Sequence, residues 1–260
     1  MIKPKEINRK ANEEGVRQQQ IEKDYINSWI LWGIYNNDLL KDALIFKDGT
    51  CIKKVHIEDY RYSEDLDFTF HPDLEQKISY DELYTAFNEI FAAIKETANI
   101  DLSIPEESKE VHESGGLKFF IDYIGPLGGR GDNVKMDISK GEKLEFDVEQ
   151  LKMLNQYSDI AEEEEVTVQC YGLNEIVIEK MAALMGRTIP RDLYDFDYLT
   201  NNEGIDMQDI FYEYQSKAKH KGHNPDEFVA KVTAKERVLE KAWTTNLSNQ
   251  IKDLRRFKDV

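Results

Sequence analysis

The sequence predicts an α+β fold, in which a small mixed β-sheet is flanked by helices and followed by a helical carboxyl-terminal domain. Runs of alternating polar and apolar residues, typical of strands, lie before Gly172, and amphipathic helical patterns surround them. After Gly172 the pattern is helical to the end. Since 260 residues suffice for more than one core, we predict two domains, at residues 1–171 and 172–260.

The first domain is predicted to begin with a helix from Lys5 to Tyr35, in which one stripe is formed at spacings of three and four by Ile21, Tyr25, Trp29 and Trp32. Leu44–Phe46 is apolar throughout and predicts a short buried strand. Gly49 and Thr50 end this strand, and because such residues can cap a helix, we expect one at Cys51–His56. The local order is strand, small-residue turn and helix.

The next elements extend and cover the predicted sheet. Leu66–Phe70 alternates in the manner of a strand, and Tyr80–Ala98 carries apolar residues on one helical face. Leu117–Ile124 and Asn133–Ser139 also alternate. The glycine-rich segment between them, residues 125–132, predicts an antiparallel hairpin.

The last strand is predicted at Val166–Gln169, and the acidic run Glu162–Glu165 before it is interpreted as a solvated loop. Helices are predicted in the second domain at Leu173–Met185, Arg191–Leu199, Met207–Lys217, Pro225–Ala242 and Thr244–Phe257. The strands therefore precede a purely helical region.

The formal net charge of -17 argues against a surface that binds nucleic acid, because phosphates repel acidic proteins. The charge is uneven, however, since Lys217–Val260 contains 11 Lys or Arg and 6 Asp or Glu. This basic segment indicates either polyanion binding or a solvated helical surface.

The sequence shows no membrane or secretion signal. It contains no apolar run of about 18 residues, and residues 1–15 are charged where a signal peptide is apolar, so we expect a cytoplasmic protein without a membrane partner. Cys51 and Cys170 are far apart and have no neighbouring His or Cys at ligand spacing. We therefore predict ordinary reduced thiols, with neither a disulfide framework nor a zinc site.

Two carboxylates indicate the chemistry. Asp65 and Asp67 alternate along a predicted strand, so both project from one face, with α-carbons about 7 Å apart. Such a pair can hold magnesium ions for phosphoryl transfer, provided that a neighbouring strand supplies a third carboxylate. Asp137 is the candidate, and Asp122 replaces it if the register of the hairpin differs.

Phosphate binding requires a second set of groups. The turn Asp48–Thr50 can offer backbone amides and a hydroxyl to phosphate oxygens. Lys180 has a stem long enough to reach a triphosphate from its helix, although it also suits a surface position. Arg191 and Asp195 are one helical turn apart and are suited to an ion pair.

The stretches Ile45–Lys54 (IFKDGTCIKK) and Arg61–Phe68 (RYSEDLDF) resemble the AbiEii abortive-infection toxin family of nucleotidyltransferases. That family typically shows a Lys-Gly-Gly-Thr turn and a following lysine, then Arg-x-Ser-x-Asp-x-Asp. Glu22–Tyr25 upstream, and Leu173–Leu184 and Arg191–Asp195 downstream, are similar to its other motifs. The resemblance covers about residues 20 to 200.

The resemblance implies a polymerase-beta-like nucleotidyltransferase domain that uses magnesium or manganese and a nucleoside triphosphate. The implied metal ligands are Asp65, Asp67 and Asp137. The residues implied to seat the nucleotide are Gly49, Thr50, Lys54, Ser63, Lys180 and Arg191. Lys180 would contact phosphate, and Asp192 or Asp195 would lie near the reacting centre.

The resemblance also implies a biological role: the toxin of a toxin–antitoxin pair used against phage, with a cognate antitoxin as partner. Some relatives add nucleotides to the acceptor end of tRNA, which implies transfer of a nucleoside monophosphate to an RNA or protein hydroxyl. Asp48 departs from the pattern, because it stands where the family usually has glycine. Its charge would lie beside the triphosphate.

Two other functions use the same residues. A metal-dependent phosphohydrolase or nuclease would employ the same carboxylates but release phosphate or cut strands. An inactive relative would act by binding a partner, an alternative supported by Asp48. The sequence does not identify the nucleotide or the acceptor, because the same aspartates can serve any molecule that supplies the attacking hydroxyl.

Overall fold

The computed structural model describes residues 1–154, 156–160 and 165–260. The chain divides into two compact units, one formed by Met1–Glu142 and Val148–Cys170 and the other by Lys143–Asp147 and Tyr171–Val260. The predicted acidic loop at residues 162–165 lies outside the described residues except for Glu165. Within these ranges, no helix combines the length and apolar character needed to cross a membrane.

The first unit contains a mixed β-sheet. Its described strands are β1 (Leu44–Lys47), β2 (Leu66–Phe70), β3 (Asp101–Ser103), β4 (Glu110–Val111), β5 (Leu117–Ile124), β6 (Asp132–Ser139), β7 (Glu149–Lys152) and β8 (Thr167–Cys170). Their order is β3-β5-β6-β2-β1-β8-β7, with β4 beside β5. The pairs β1–β8 and β2–β6 are parallel, and β5–β6 is the predicted antiparallel hairpin.

The register of the sheet selects the third carboxylate. Asp67 on β2 is paired with Lys47 of β1 and with Asp137 of β6. Since directly paired residues present their side chains on the same face, these three side chains share one face of the sheet. Asp122 is paired with Asn133, four positions before Asp137 along β6. The register therefore favours Asp137 over Asp122.

The helices of the first unit are α1 (Pro4–Glu14), α2 (Gln18–Asn36), α3 (Asp38–Ala43), α4 (Asp48–Cys51) and α5 (Tyr80–Ala98), and a π-turn (Ile52–His56) follows α4. The prediction of one helix from Lys5 to Tyr35 is wrong, because Gly15 adopts a left-handed φ of 65° and ends α1. Helix α5 has its predicted bounds, since Ser79 and Glu82 form a capping box before it.

The second unit is helical, with α6 (Leu173–Gly186), α7 (Pro190–Asn201), α8 (Phe211–His220) and α9 (Phe228–Leu247). The predicted helix Thr244–Phe257 is wrong. Trp243 and Leu247 are buried one turn apart on α9, so that helix continues to Leu247. The chain then turns back, and the Trp243 indole donates to the Arg255 carbonyl at 2.8 Å. The α+β fold class is confirmed.

Candidate active site

Asp67 lies among charged groups on the face of the central strand. Burial and the carboxylates of Asp48 and Asp65 raise the pKa of Asp67 to about 7, although Lys135 and Lys47 act in the opposite direction. Three carboxylates therefore repel one another at this point. A cation that binds between them would relieve this repulsion.

Lys135 is a cationic group whose pKa is raised by all three predicted metal ligands. It lies two residues before Asp137 on β6, and its Nζ is 3.2 Å from Asp137 Oδ2. Burial lowers the pKa of Lys135, but the carboxylates of Asp67, Asp137 and Asp65 outweigh burial and raise it. Carboxylate oxygens are the ligands that magnesium and manganese prefer. The three residues therefore fit a divalent cation.

The Asp137 carboxylate has other partners in this structure. Besides Lys135, it contacts His112, whose Nε2 is 3.6 Å from Asp137 Oδ1. Among the residues that the structure describes, the oxygens of Asp65, Asp67 and Asp137 are not all within 4.8 Å of one another. Binding of one ion by all three would therefore require their side chains to move closer together.

The turn after β1 begins with a residue in an unusual conformation. Asp48 has a φ of 66°, in the left-handed region, and its Oδ1 accepts a hydrogen bond from the Gly49 amide at 2.7 Å. Glycine adopts this region without steric cost, and Asp tolerates it better than most residues. The backbone here explains why the family pattern has glycine and why this chain can have Asp48.

Replacing Asp48 by valine is expected to lower the free energy of unfolding by about 1–3 kcal/mol relative to Asp48→Gly, since a β-branched residue is strained at positive φ. Urea denaturation of the two variants measures the difference. Equal stabilities would show that the left-handed conformation is not required at this position.

Gly49 allows the Arg-x-Ser-x-Asp-x-Asp segment to pack against the turn. A Cβ atom on Gly49 would lie 2.6 Å from Arg61 Nη2 and 3.3 Å from Ser63 Oγ. The Thr50 hydroxyl donates to the Asp65 carbonyl, which fixes the residue before β2 to the turn. These contacts place the Arg61 guanidinium and the metal-ligand candidate Asp65 at the same turn.

Gly49→Ala is expected to lower the free energy of unfolding by about 1–3 kcal/mol, because the added methyl group must displace the buried Arg61 guanidinium. Urea denaturation of Gly49→Ala in the native and Arg61→Ala backgrounds measures the loss. The loss should be smaller when Arg61 is shortened, and equal losses in the two backgrounds would exclude this clash as the cause.

Lys54 lies in a buried ion pair. Its Nζ is 2.6 Å from Asp24 Oδ2 and donates to Ser28 Oγ at 2.8 Å, and burial lowers its pKa to about 8. Tyr157 also donates to Asp24, at 2.7 Å. The structure therefore favours a structural role for Lys54 over the predicted contact with nucleotide, because its ammonium group is enclosed by protein.

Three predicted residues of the second unit, Lys180, Asp192 and Asp195, are buried and joined by ion pairs. Lys180 Nζ is 2.8 Å from Asp195 Oδ2 and 3.2 Å from Asp192 Oδ1. Arg187 binds Asp192 with two nitrogens, at 2.7 and 2.9 Å. Lys180 of α6 thus pairs with Asp195, and the expected Arg191–Asp195 ion pair stays a prediction. A contact of Lys180 with phosphate stays a prediction.

Three residues that shape this region were not among the predicted site residues. Lys135 shares a strand face with Asp137, so the alternation of β6 was a usable signal. Arg61 stands inside the family motif, but the sequence did not show that it packs against Gly49. Asp24 also stands in a motif, and only the fold pairs it with Lys54.

Comparison with known proteins decides the family. A family model described as nucleotidyl transferase AbiEii toxin, Type IV TA system, matches residues 29–260. This chain belongs to the AbiEii family. The match continues to the last residue, so the predicted end of the resemblance near residue 200 is wrong. A search of curated proteins finds no match.

Solved structures share the fold of this AbiEii protein. MenT4, a nucleotidyltransferase toxin from Mycobacterium tuberculosis H37Rv, is similar with a TM-score of 0.56 and 14% identity, over 94% of this chain and 99% of that one. A candidate nucleotidyltransferase from Helicobacter pylori has a TM-score of 0.54 and 17% identity, over 94% and 90%. At such identities the likeness shows the fold alone, and it confirms the predicted fold.

AbiEii membership confirms the enzyme class. The protein is a nucleotidyltransferase and a toxin of a type IV toxin–antitoxin system. Membership implies a nucleoside triphosphate as substrate and a cognate antitoxin as partner.

Proposed function

We propose that this AbiEii protein uses magnesium or manganese to transfer a nucleoside monophosphate from a nucleoside triphosphate to a hydroxyl group of tRNA. We further propose that it acts in the cytoplasm, as the toxin of a phage-defence pair. The observation that carries the proposal is the register that pairs Asp67 with Asp137 on adjacent strands, with Asp65 two residues before Asp67. Such a convergence of carboxylates suits a divalent cation.

Each part of the first unit has a proposed task. Asp65, Asp67 and Asp137 would hold the metal, which when bound offsets triphosphate charge and lowers the pKa of the attacking hydroxyl. Gly49 allows the Arg61 guanidinium to lie against the turn, where positive charge favours phosphate oxygens. In the second unit, roles for Lys180, Asp192 and Arg191 in phosphate binding and catalysis are part of the proposal.

The proposed acceptor is supported by the charge of the carboxyl-terminal segment. Lys217–Val260 contains 11 basic and 6 acidic residues, although the whole chain has a net charge of -17. A basic segment attracts the phosphates of RNA, and it belongs to the part of the chain that the family match covers. A protein hydroxyl offers no such polyanion, which is why we favour tRNA.

The test is incubation with each of the four α-labelled nucleoside triphosphates, magnesium and total tRNA, followed by separation of the products. We expect label on tRNA and release of pyrophosphate. Label on protein instead would overturn the tRNA acceptor. Release of phosphate or shortened RNA without incorporation would contradict transfer and indicate a phosphohydrolase or nuclease.

A further inference from the structure

Two thiols and an imidazole meet in the first unit, separately from the carboxylate face. The Sγ atoms of Cys51 and Cys170 and a ring nitrogen of His56 all lie within 4.8 Å of one another. Both cysteines are fully buried, whereas His56 is partly exposed. The sequence-based prediction that no zinc ligands come together is therefore wrong.

Two features of the fold bring these residues together. Strand β8 pairs in parallel with β1, and Cys170 lies opposite Phe46, so the end of β8 reaches the turn that leads to Cys51. The π-turn then sets the position of His56. In an α-helix, two side chains five residues apart point in directions that differ by about 140°. The π-turn is wider, and it is closed by a hydrogen bond from the Ile57 amide to the Ile52 carbonyl. This wider turn brings His56 back toward Cys51.

The spacing suits a single bound ion. Two ligand atoms that bind one zinc ion at about 2.0–2.3 Å are less than about 4.6 Å apart. Small movements of the three side chains would therefore bring them to bonding distance. Thiolate and imidazole are ligands that favour zinc over magnesium, so the carboxylate face and this cluster would select different metals.

Metal binding by the cluster would displace protons. The thiolate is the form of cysteine that binds metals. Binding of one ion by Cys51 and Cys170 would therefore release the thiol protons to solvent.

We propose that Cys51, His56 and Cys170 form a zinc site. The fourth position is left to water or to the Glu149 carboxylate, because Glu149 of β7 is the register partner of Cys170 and is exposed. Cys51 is the last residue of α4, which begins at Asp48. A bound zinc ion would therefore link β8 to the helix that carries Gly49 and Thr50. The proposed site does not depend on the proposed transfer reaction.

Cobalt and zinc titrations of the reduced, metal-free protein test the site without nucleotide. We expect one equivalent of cobalt to give a thiolate-to-cobalt charge-transfer band and the visible absorption typical of tetrahedral cobalt, both lost when zinc is added. Zinc should also raise the Tm. Absence of the charge-transfer band, or a Tm unchanged by zinc, would overturn the proposal.

The variant His56→Ala tests the site without altering a buried cysteine, since His56 is partly exposed. This variant should bind zinc at least about 100-fold more weakly. His71→Ala, also partly exposed and outside the cluster, is the matched control and should bind zinc like the native protein. Equal zinc affinity of His56→Ala and His71→Ala would remove His56 from the site and contradict the proposal.

Discussion

Asp67→Asn is expected to lower kcat/KM for nucleotidyl transfer by at least about 10³-fold, because a metal ion contributes several kcal/mol to the transition state. Asp67 lies between Lys47 and Asp137 in the register of the sheet. Its carboxylate also lies near Asp65 and Asp48, which raise its pKa. Loss of this charge removes the central ligand candidate while a side chain of the same shape remains.

The measurement is the initial rate of label transfer to tRNA, with folding checked by circular dichroism. Asp122→Asn is the matched control, because Asp122 is an exposed aspartate on the neighbouring hairpin strand β5. It should retain native activity. A rate for Asp67→Asn within about tenfold of the native rate would contradict metal binding by Asp67.

Asp24→Ala is expected to lower the free energy of unfolding by about 3–5 kcal/mol, because it leaves a buried charge without its partner. The Lys54 ammonium group, 2.6 Å from Asp24 Oδ2, is almost wholly enclosed. The variant also removes the acceptor of the Tyr157 hydroxyl. This loss concerns folding, since the pair is buried within the first unit.

Urea denaturation measures this loss, and a second variant separates its causes. Asp24→Ala combined with Lys54→Met removes both charges and should be more stable than Asp24→Ala alone. Asp38→Ala is the control for an exposed ion pair, since Asp38 pairs with Lys41 at the surface, and it should be close to native stability. If Asp24→Ala were as stable as Asp38→Ala, the buried Asp24–Lys54 pair would not stabilise the fold.

The sequence correctly predicted those elements of the first unit that carry a periodic pattern of apolar residues. The alternation of β2 and the apolar face of α5 are periodic signals, and both elements have their predicted bounds. The break after α1 was missed because the apolar stripe from Ile21 to Trp32, which lies within α2, was extended back across Gly15. The predicted helix from Thr244 failed because tertiary packing of Trp243 decided where α9 ends.

The candidate site was predictable only as far as alternation and motif could indicate it. Asp65 and Asp67 followed from one strand, and Asp137 was proposed from another, but only the register places Asp137 beside Asp67. The cluster of Cys51 and Cys170 could not be predicted, because 118 intervening residues separate ligands that a parallel strand pair brings together. Pairings between distant strands are not encoded in local periodicity.

The central claim is that Asp65, Asp67 and Asp137 bind the divalent ion that accompanies the nucleoside triphosphate. A crystal structure with manganese and a non-hydrolysable triphosphate tests it directly, because manganese is located by its anomalous scattering. We expect manganese bound to Asp65 and Asp67, with Asp137 moved toward it and the phosphates at the Gly49 turn. Manganese bound elsewhere, with these carboxylates still directed at Lys135, would contradict it.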